Sequence, residues 1–147
     1  MRALRLSMAI LLLAVSAAIG QEPVPRTFRA VDLFVDSGSQ PLAAYQLSFA
    51  CAAADAKIVG IEGGEHSAFA EPPYYDPKAM QNNRVVVAAF NTASSGQLPR
   101  GRMRIATIHI QTSASAERRY ELKVDAAATA AGESMTVSAE AIERNAK

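Results

Sequence analysis

The sequence predicts an all-β fold: a two-sheet antiparallel β-sandwich with jelly-roll topology and about eight or nine strands. Short segments alternate apolar and polar residues, which is the period of a half-buried strand. Turn residues interrupt these segments roughly every 8–12 positions, as they do in sandwiches and barrels. The many alanines fall within the same short segments and not at helical spacing, so they do not indicate helices.

The first twenty residues have the composition of a secretory signal peptide. Arg2 and Arg5 form a positively charged start, and an apolar run interrupted only by Ser16 follows at 8–19. The small residues Ala18 and Gly20 stand at the positions that a signal peptidase reads. The apolar run of about a dozen residues is shorter than the roughly 20 that a membrane-spanning helix needs. We therefore predict a signal peptide at 1–20 and a secreted or periplasmic protein without a membrane span after cleavage. An uncleaved anchor is the alternative, and the exact cleavage site stays open.

The charge of the exported chain excludes the usual signature of nucleic-acid binding. Without the two arginines of the signal, 13 basic residues stand against 14 acidic ones. Nucleic acids and anionic lipids require clustered Lys and Arg. Arg100, Arg102 and Arg104 do form a local cluster on one side of a predicted strand, the side that continues as Ala106 and Ile108. We interpret these arginines as the solvated end of that strand and not as an anion site.

One domain is predicted at 28–138, between a Pro-containing linker at 21–27 and a C-terminal tail at 139–147. The continuous apolar run at 85–90 is typical of a central strand that is covered on both faces. The other strands are predicted at 28–36, 45–51, 57–62, 102–112 and 120–125, followed by a hairpin at 126–137.

The single cysteine, Cys51, excludes an intramolecular disulfide, so the domain must be stabilised by packing. It follows Phe49 on the apolar side of a predicted strand, where a free cysteine is usually a small buried hydrophobe. A reactive thiol or an intermolecular disulfide is the alternative.

The irregular segment at 63–83 contains the candidate binding residues Glu71, Tyr74, Tyr75 and Asp76. Long irregular segments inside compact domains are usually functional or held by their own side chains. Two prolines precede the tyrosine pair, and an aromatic side chain on a stiffened loop suits a sugar ring or a protein partner. Alternatively, Tyr75 closes one end of the sandwich together with the nearby Phe69, while Tyr74 covers an edge. Asp76 is also predicted to cap a helical turn that begins with proline.

The same segment carries the best candidates for acid–base or metal chemistry: Glu65, His66, Glu71 and Asp76. Paired carboxylates serve as acid and base, and oxygen ligands hold Ca²⁺. Their spacing matches no loop of defined coordination geometry, so we favour a solvated acidic loop, without a metal and without a cofactor. The sequence contains no G-x-S-x-G motif, which would place a nucleophilic serine on a sharp turn. The other histidine, His109, is predicted on an exposed strand face. We predict that the protein is not an enzyme.

Several strand patterns resemble a cohesin-type module. The run VDLFVDSG at 31–38, followed by PLAAYQL at 41–47, looks like the opening of that module. Residues 57–64 resemble its third strand, 85–90 the apolar strand that follows, and 104–110 a later strand. The resemblance covers roughly 28–138 and implies a jelly-roll sandwich that is extracellular and non-enzymatic. Cohesins bind dockerin modules in polysaccharide-degrading and cell-surface assemblies, and their fold is related to that of some carbohydrate-binding modules.

These observations lead to one predicted function and two alternatives. We predict an exported, non-catalytic, cohesin-like module that binds a protein, either a dockerin-like partner or another envelope or secreted protein. The first alternative is a carbohydrate-binding module that uses Tyr74 and Tyr75, although the chain has no Trp, the usual stacking residue for sugars. The second is a hydrolase built on Glu65, Glu71 and Asp76.

Overall fold

The computed structural model describes residues 22–144. The predicted signal peptide at 1–20 and the last three residues of the predicted tail lie outside the described residues. Seven strands and three short 3₁₀ turns make up the regular structure of this part. The strands are β1 (Arg26–Asp36), β2 (Ala44–Cys51), β3 (Lys57–Gly63), β4 (Arg84–Phe90), β5 (Arg102–Ser113), β6 (Tyr120–Ala128) and β7 (Ser138–Glu143).

The strands form two antiparallel sheets, as the alternation predicts. The larger sheet has the order β3-β5-β1-β7, and the smaller one has the order β4-β2-β6. On β1 the buried apolar residues are Val31, Leu33 and Val35, and on β2 they include Leu47 and Phe49. These side chains belong to a single hydrophobic cluster to which both sheets contribute. In residues 22–144, no helix is long and apolar enough to cross a membrane.

The segment predicted as a C-terminal tail contains a strand. Ser138–Glu143 pairs with residues 31–36 of β1, whereas the sequence predicts a tail from 139 onward. Ala139 and Ala141 pack against the core, which is why this weakly apolar segment forms a strand. At the other end, β1 begins at Arg26, inside the predicted linker.

Residues 22–144 contain seven strands instead of the predicted eight or nine, in part because two segments predicted as separate strands form one continuous strand. β6 runs through both 120–125 and the first half of the predicted hairpin. A register shift between Gln46 and Leu47 of the partner strand leaves Asp125 without a direct partner and lets the pairing continue. The returning half of the hairpin makes only an isolated bridge, between Ala128 and Ser134.

The apolar strand β4 is an edge strand and not the predicted central one. It pairs with β2 on one side, while on the other side Tyr74 forms a single bridge with Ala88. Val85 and Val87 are buried, but Val86 is 48% exposed, so one face of the strand is open. The run appears central because small and branched apolar residues also occupy this open face.

A bulge in β5 changes which side of the sheet its arginines occupy. Leu33 pairs with Ala106 and Phe34 pairs with Arg104, so Ile105 has no direct partner on β1. An extra residue of this kind reverses the inside–outside alternation. Arg104 therefore lies on the outer face, whereas simple alternation predicts it on the same side as Ala106.

Candidate functional site

The four predicted binding residues do not converge on one point. Tyr74 is 70% exposed, whereas Tyr75 is half-buried and packs against the core. Glu71, three residues before Tyr74, is exposed. Asp76 is exposed as well, but its Oδ1 accepts a hydrogen bond of 2.9 Å from the backbone N–H of Lys78. Of this set, Tyr74 presents the largest apolar surface to solvent.

Asp76 has the local role that the sequence predicts. It caps the 3₁₀ turn Pro77–Ala79, with proline in the first turn. A capping carboxylate satisfies a backbone N–H that would otherwise lack a partner. The turn lies beside β4 and forms one side of a depression on the smaller sheet.

The aromatic residues of the segment divide between the core and the surface. Phe69 is buried and meets the ring of Tyr45 edge-on, with centroids 5.2 Å apart. The hydroxyl of Tyr45 donates a hydrogen bond of 3.3 Å to the carbonyl of Ile105, which ties the smaller sheet to the bulge of the larger one. Tyr75 packs against the same core, while Tyr74 stays outside.

The residues considered for acid–base or metal chemistry are engaged separately. Glu65 accepts a hydrogen bond of 2.8 Å from the backbone N–H of Arg104, and Nδ1 of His66 accepts one of 3.1 Å from Ala68. Nε2 of His109 lies 2.9 Å from a carboxylate oxygen of Glu62. Residues 22–144 contain no group of three or more His, Cys, Asp or Glu side chains that could hold a metal ion.

The arginines at 100–104 likewise make separate contacts. Arg100 donates to the carbonyl of Ser39 at 2.8 Å, and Arg104 donates to the carbonyl of Gly63 at 2.8 Å. The guanidinium of Arg102 lies 3.8 Å from the ring centre of Phe34. Because each guanidinium has its own partner, the three do not form a shared anion site.

An exposed aromatic pair stands on the smaller sheet, and only one of its two residues, Tyr74, is among the predicted binding residues. The rings of Tyr74 and Phe90 stack with centroids 6.1 Å apart and planes inclined by 14°. Phe90 is 65% exposed. In the sequence, the feature that points to Phe90 is its position at the end of an apolar strand. Because that strand is predicted to be central and covered on both faces, Phe90 is not predicted to be exposed.

These two rings border the outward-facing surface of the smaller sheet, which we call the open face. It consists of alternate residues of β4 from Arg84 to Phe90, alternate residues of β2 from Ala44 to Ala50, and Glu121, Lys123, Ala126 and Ala128 of β6.

The open face carries two adjoining depressions. One, of about 260 Å³, lies beside the aromatic pair and has a floor of alanines that includes Ala44, Ala88 and Ala126. The other, of about 640 Å³, has Ala50 and Val86 on its floor and the segment at 76–82 along one side. Small side chains thus keep the centre of the face low, while larger ones rise at its edges.

The outer face of the larger sheet is different, because its charged groups pair with one another. Arg144 donates two hydrogen bonds to the carboxylate of Asp32, at 2.7 and 3.2 Å. Burial raises the pKa of Asp32, but its hydrogen bonds from Arg144 and Thr107 and the charge of Arg144 outweigh this and lower the pKa overall. Arg102 pairs with Glu140 on the same face.

By contrast, two oppositely charged residues of the open face have no charged partner. Within residues 22–144, neither Arg84 nor Glu121 forms an ion pair. Both are exposed. With its aromatic pair and its low alanine floor, the open face is the surface of the described chain best suited to contact another molecule.

Comparison with models of known protein families, with curated proteins and with solved structures finds no match to this chain.

Proposed function

We propose that the protein is an exported, non-catalytic binding module, a cohesin-like jelly-roll β-sandwich, that binds a protein partner through the open face. The observation that carries this proposal is the stacked pair of Tyr74 and Phe90, two strongly exposed rings beside a shallow alanine-floored depression. Aromatic side chains are enriched at the energetic centres of protein interfaces, where they bury much area at small entropic cost.

The contrast between the two outer faces supports this choice of surface. On the larger sheet, charged residues such as Asp32 and Arg102 are already paired, so a partner would have to displace or desolvate existing contacts. On the open face, Val86 and Phe90 are exposed apolar side chains, and covering them with a partner would lower the free energy by removing apolar surface from water. The partner that the resemblance suggests is dockerin-like, or another protein of the envelope or the secreted fraction.

The engagement of both histidines in local contacts supports a non-catalytic role. Nδ1 of His66 is occupied by a backbone N–H at the start of a 3₁₀ turn. His109 faces Glu62 on the outside of the larger sheet, away from the open face. A general base must reach the proton of a bound substrate, and neither histidine adjoins the depressions described above.

Affinity capture with matched variants tests the proposal. The full chain with a C-terminal tag is expressed in its native host, so that any removal of the apolar segment takes place as usual. We expect it to retain a specific protein from the envelope or secreted fraction, and we expect Tyr74→Ala/Phe90→Ala to lose it. Phe28→Ala is the control, because Phe28 is 69% exposed but lies on β1 of the larger sheet. Equal capture by all three proteins, or capture of nothing specific, would overturn the proposal.

A carbohydrate ligand is the second candidate, and the nearly parallel rings of Tyr74 and Phe90 are the observation that favours it. Exposed rings in this arrangement can stack on the faces of sugar rings. Affinity electrophoresis in gels that contain soluble polysaccharides tests this function. Retardation that disappears in Tyr74→Ala, with no protein captured, would replace a protein partner by a glycan.

A further inference from the structure

The two edge strands of the open face carry complementary residues in the first and last rows of the sheet. The sheet is three strands wide, so each row across it has one residue from β4, one from β2 and one from β6. At one end, the row runs from Phe90 through Ala44 to Ala128, a large ring opposite a methyl group. At the other end it runs from Arg84 through Ala50 to Glu121, a cation opposite an anion.

Such a pattern is complementary to itself under a two-fold rotation. Neighbouring strands are about 4.8 Å apart, so the backbones of the two edge residues of a row lie roughly 10 Å from each other. Within residues 22–144 of one copy, Arg84 and Glu121 form no ion pair with each other. A two-fold axis that lies against the face and runs along β2 places β4 of one copy over β6 of the other and keeps every row aligned. Arg84 then meets Glu121 of the second copy, and Phe90 meets Ala128.

We infer that the partner of the open face is a second copy of this chain, packed face to face about an axis along β2. This inference rests on the proposed function, which is the binding of a protein through the open face. Arg84 of each copy pairs with Glu121 of the other, so the interface contains two such ion pairs. Phe90 of each copy covers Ala128 of the other. The contact is isologous, the commonest arrangement in soluble homo-oligomers.

The residues along the axis fit this packing. β2 presents Ala44 and Ala50 outward near the two ends of its length, so the backbones of the two copies can approach to the roughly 10 Å of stacked sheets. Between them, Gln46 meets its own counterpart, and a side-chain amide both donates and accepts hydrogen bonds. The segment at 76–82 stands beyond β4, so the rotation places it beside β6 of the second copy and not between the sheets.

Charge reversal at the two ends of one row tests both the dimer and its register. We expect the full chain to sediment as a dimer at micromolar concentration. Arg84→Glu places two carboxylates together at both ends of this row, and Glu121→Arg places two guanidinium groups together there, so each variant alone should be a monomer. In an equimolar mixture, every contact again joins opposite charges, and the mass of a dimer should return.

Two controls separate this result from misfolding and from non-specific charge effects. Arg84 and Glu121 are exposed, so both variants should keep the far-ultraviolet circular dichroism of the parent chain and unfold in one cooperative thermal transition. Their thermal midpoint should fall only by the part that dimerisation contributes, and the equimolar mixture should restore it. Lys57→Glu reverses a charge on β3 of the larger sheet and should leave the dimer intact.

A parent chain that stays monomeric, or single variants that dimerise as well as the parent, would overturn the inference. Variants that do not recover the dimer on mixing would overturn the register. The proposed function is tested separately: a monomeric chain that captures another protein through Tyr74 and Phe90 retains that function and excludes only the second copy. A chain that neither dimerises nor captures a protein overturns both.

Discussion

The hydroxyl of Thr107 donates a hydrogen bond of 2.7 Å to the carboxylate of Asp32, its direct cross-strand neighbour. Thr107 is fully buried although it lies on the outer face of the larger sheet. Arg104 donates to the same hydroxyl at 3.0 Å, and Arg144 binds the carboxylate from the far side. These four side chains join β5, β1 and the residue that follows β7.

Thr107→Val should therefore destabilise the protein although it preserves the shape of the side chain. The substitution leaves Asp32 and Arg104 without one hydrogen-bond partner each, in a site that water hardly reaches. We expect a loss of about 1–2 kcal/mol in the free energy of unfolding, measured by urea denaturation. Thr136→Val, at an exposed position after β6, is the control and should change it by less than about 0.5 kcal/mol. Equal stability of the two variants would show that the network contributes nothing.

Acid should weaken the fold partly through Asp32. Its pKa is lowered in the folded chain, because the hydrogen bonds and the charge of Arg144 and the hydroxyl of Thr107 outweigh the effect of burial. A carboxyl with a lowered folded pKa contributes stability above its unfolded pKa of about 3.9, and this contribution is lost as the pH falls through the folded value.

Unfolding midpoints in urea at pH 7, 5 and 3 measure this effect. Asp32→Asn should be less stable than the parent at pH 7 and should lose less stability between pH 5 and 3. Glu71→Gln, at an exposed position, serves as the control and should follow the parent. If Asp32→Asn lost as much stability between pH 5 and 3 as the parent, a group other than Asp32 would account for the loss of stability in acid.

Alternation was sufficient to predict most of the strands, because one face of each is buried in a shared core. β1, β2 and β3 lie within a few residues of their predicted bounds. β7 was missed because its inward residues, Ala139 and Ala141, are too weakly apolar to stand out without their neighbours. The bulge at Ile105 was missed because it depends on the pairing with β1, which local sequence does not contain.

The surface was harder to predict than the core. Tyr74 is a predicted binding residue because prolines precede it. Its stacking partner Phe90 lies sixteen positions further along the chain and is not predicted, because β4 is wrongly expected to be a central strand. An edge strand and a central strand can share one apolar sequence, and only the pairing of the sheet separates them. The complementary ends of the open face, Arg84 and Glu121, depend on register in the same way.

Cys51 should be unreactive in the folded protein. It is 2% exposed on the inner side of β2, and burial raises the pKa of its thiol, so little of the nucleophilic thiolate forms near neutral pH. Labelling with an aromatic disulfide reagent at pH 8 should be slow in buffer and fast in denaturing urea. Fast labelling in buffer, at the rate of a free thiol, would show that the strand opens or that the cysteine is accessible.

The paired glycines Gly63 and Gly64, where β3 ends, should tolerate no side chain. A Cβ on Gly63 would lie 2.0 Å from the carbonyl oxygen of Ala70, and one on Gly64 would lie 2.5 Å from that of Arg104. Both contacts are with backbone atoms, so the segment that leads to Tyr74 would have to move. We expect Gly63→Ala to lower the free energy of unfolding by about 1–3 kcal/mol, measured by thermal and urea denaturation.

Gly96 supplies the matched control for this substitution. A Cβ there has no atom within 4 Å, so Gly96→Ala should be neutral or should stabilise the fold by up to about 1 kcal/mol. Gly63→Ala should also weaken binding through the open face, because the displaced segment carries one ring of the aromatic pair. A Gly63→Ala protein as stable as Gly96→Ala would mean that the backbone at 63–73 shifts without cost, and that the close approach to Ala70 does not hold Tyr74 in place.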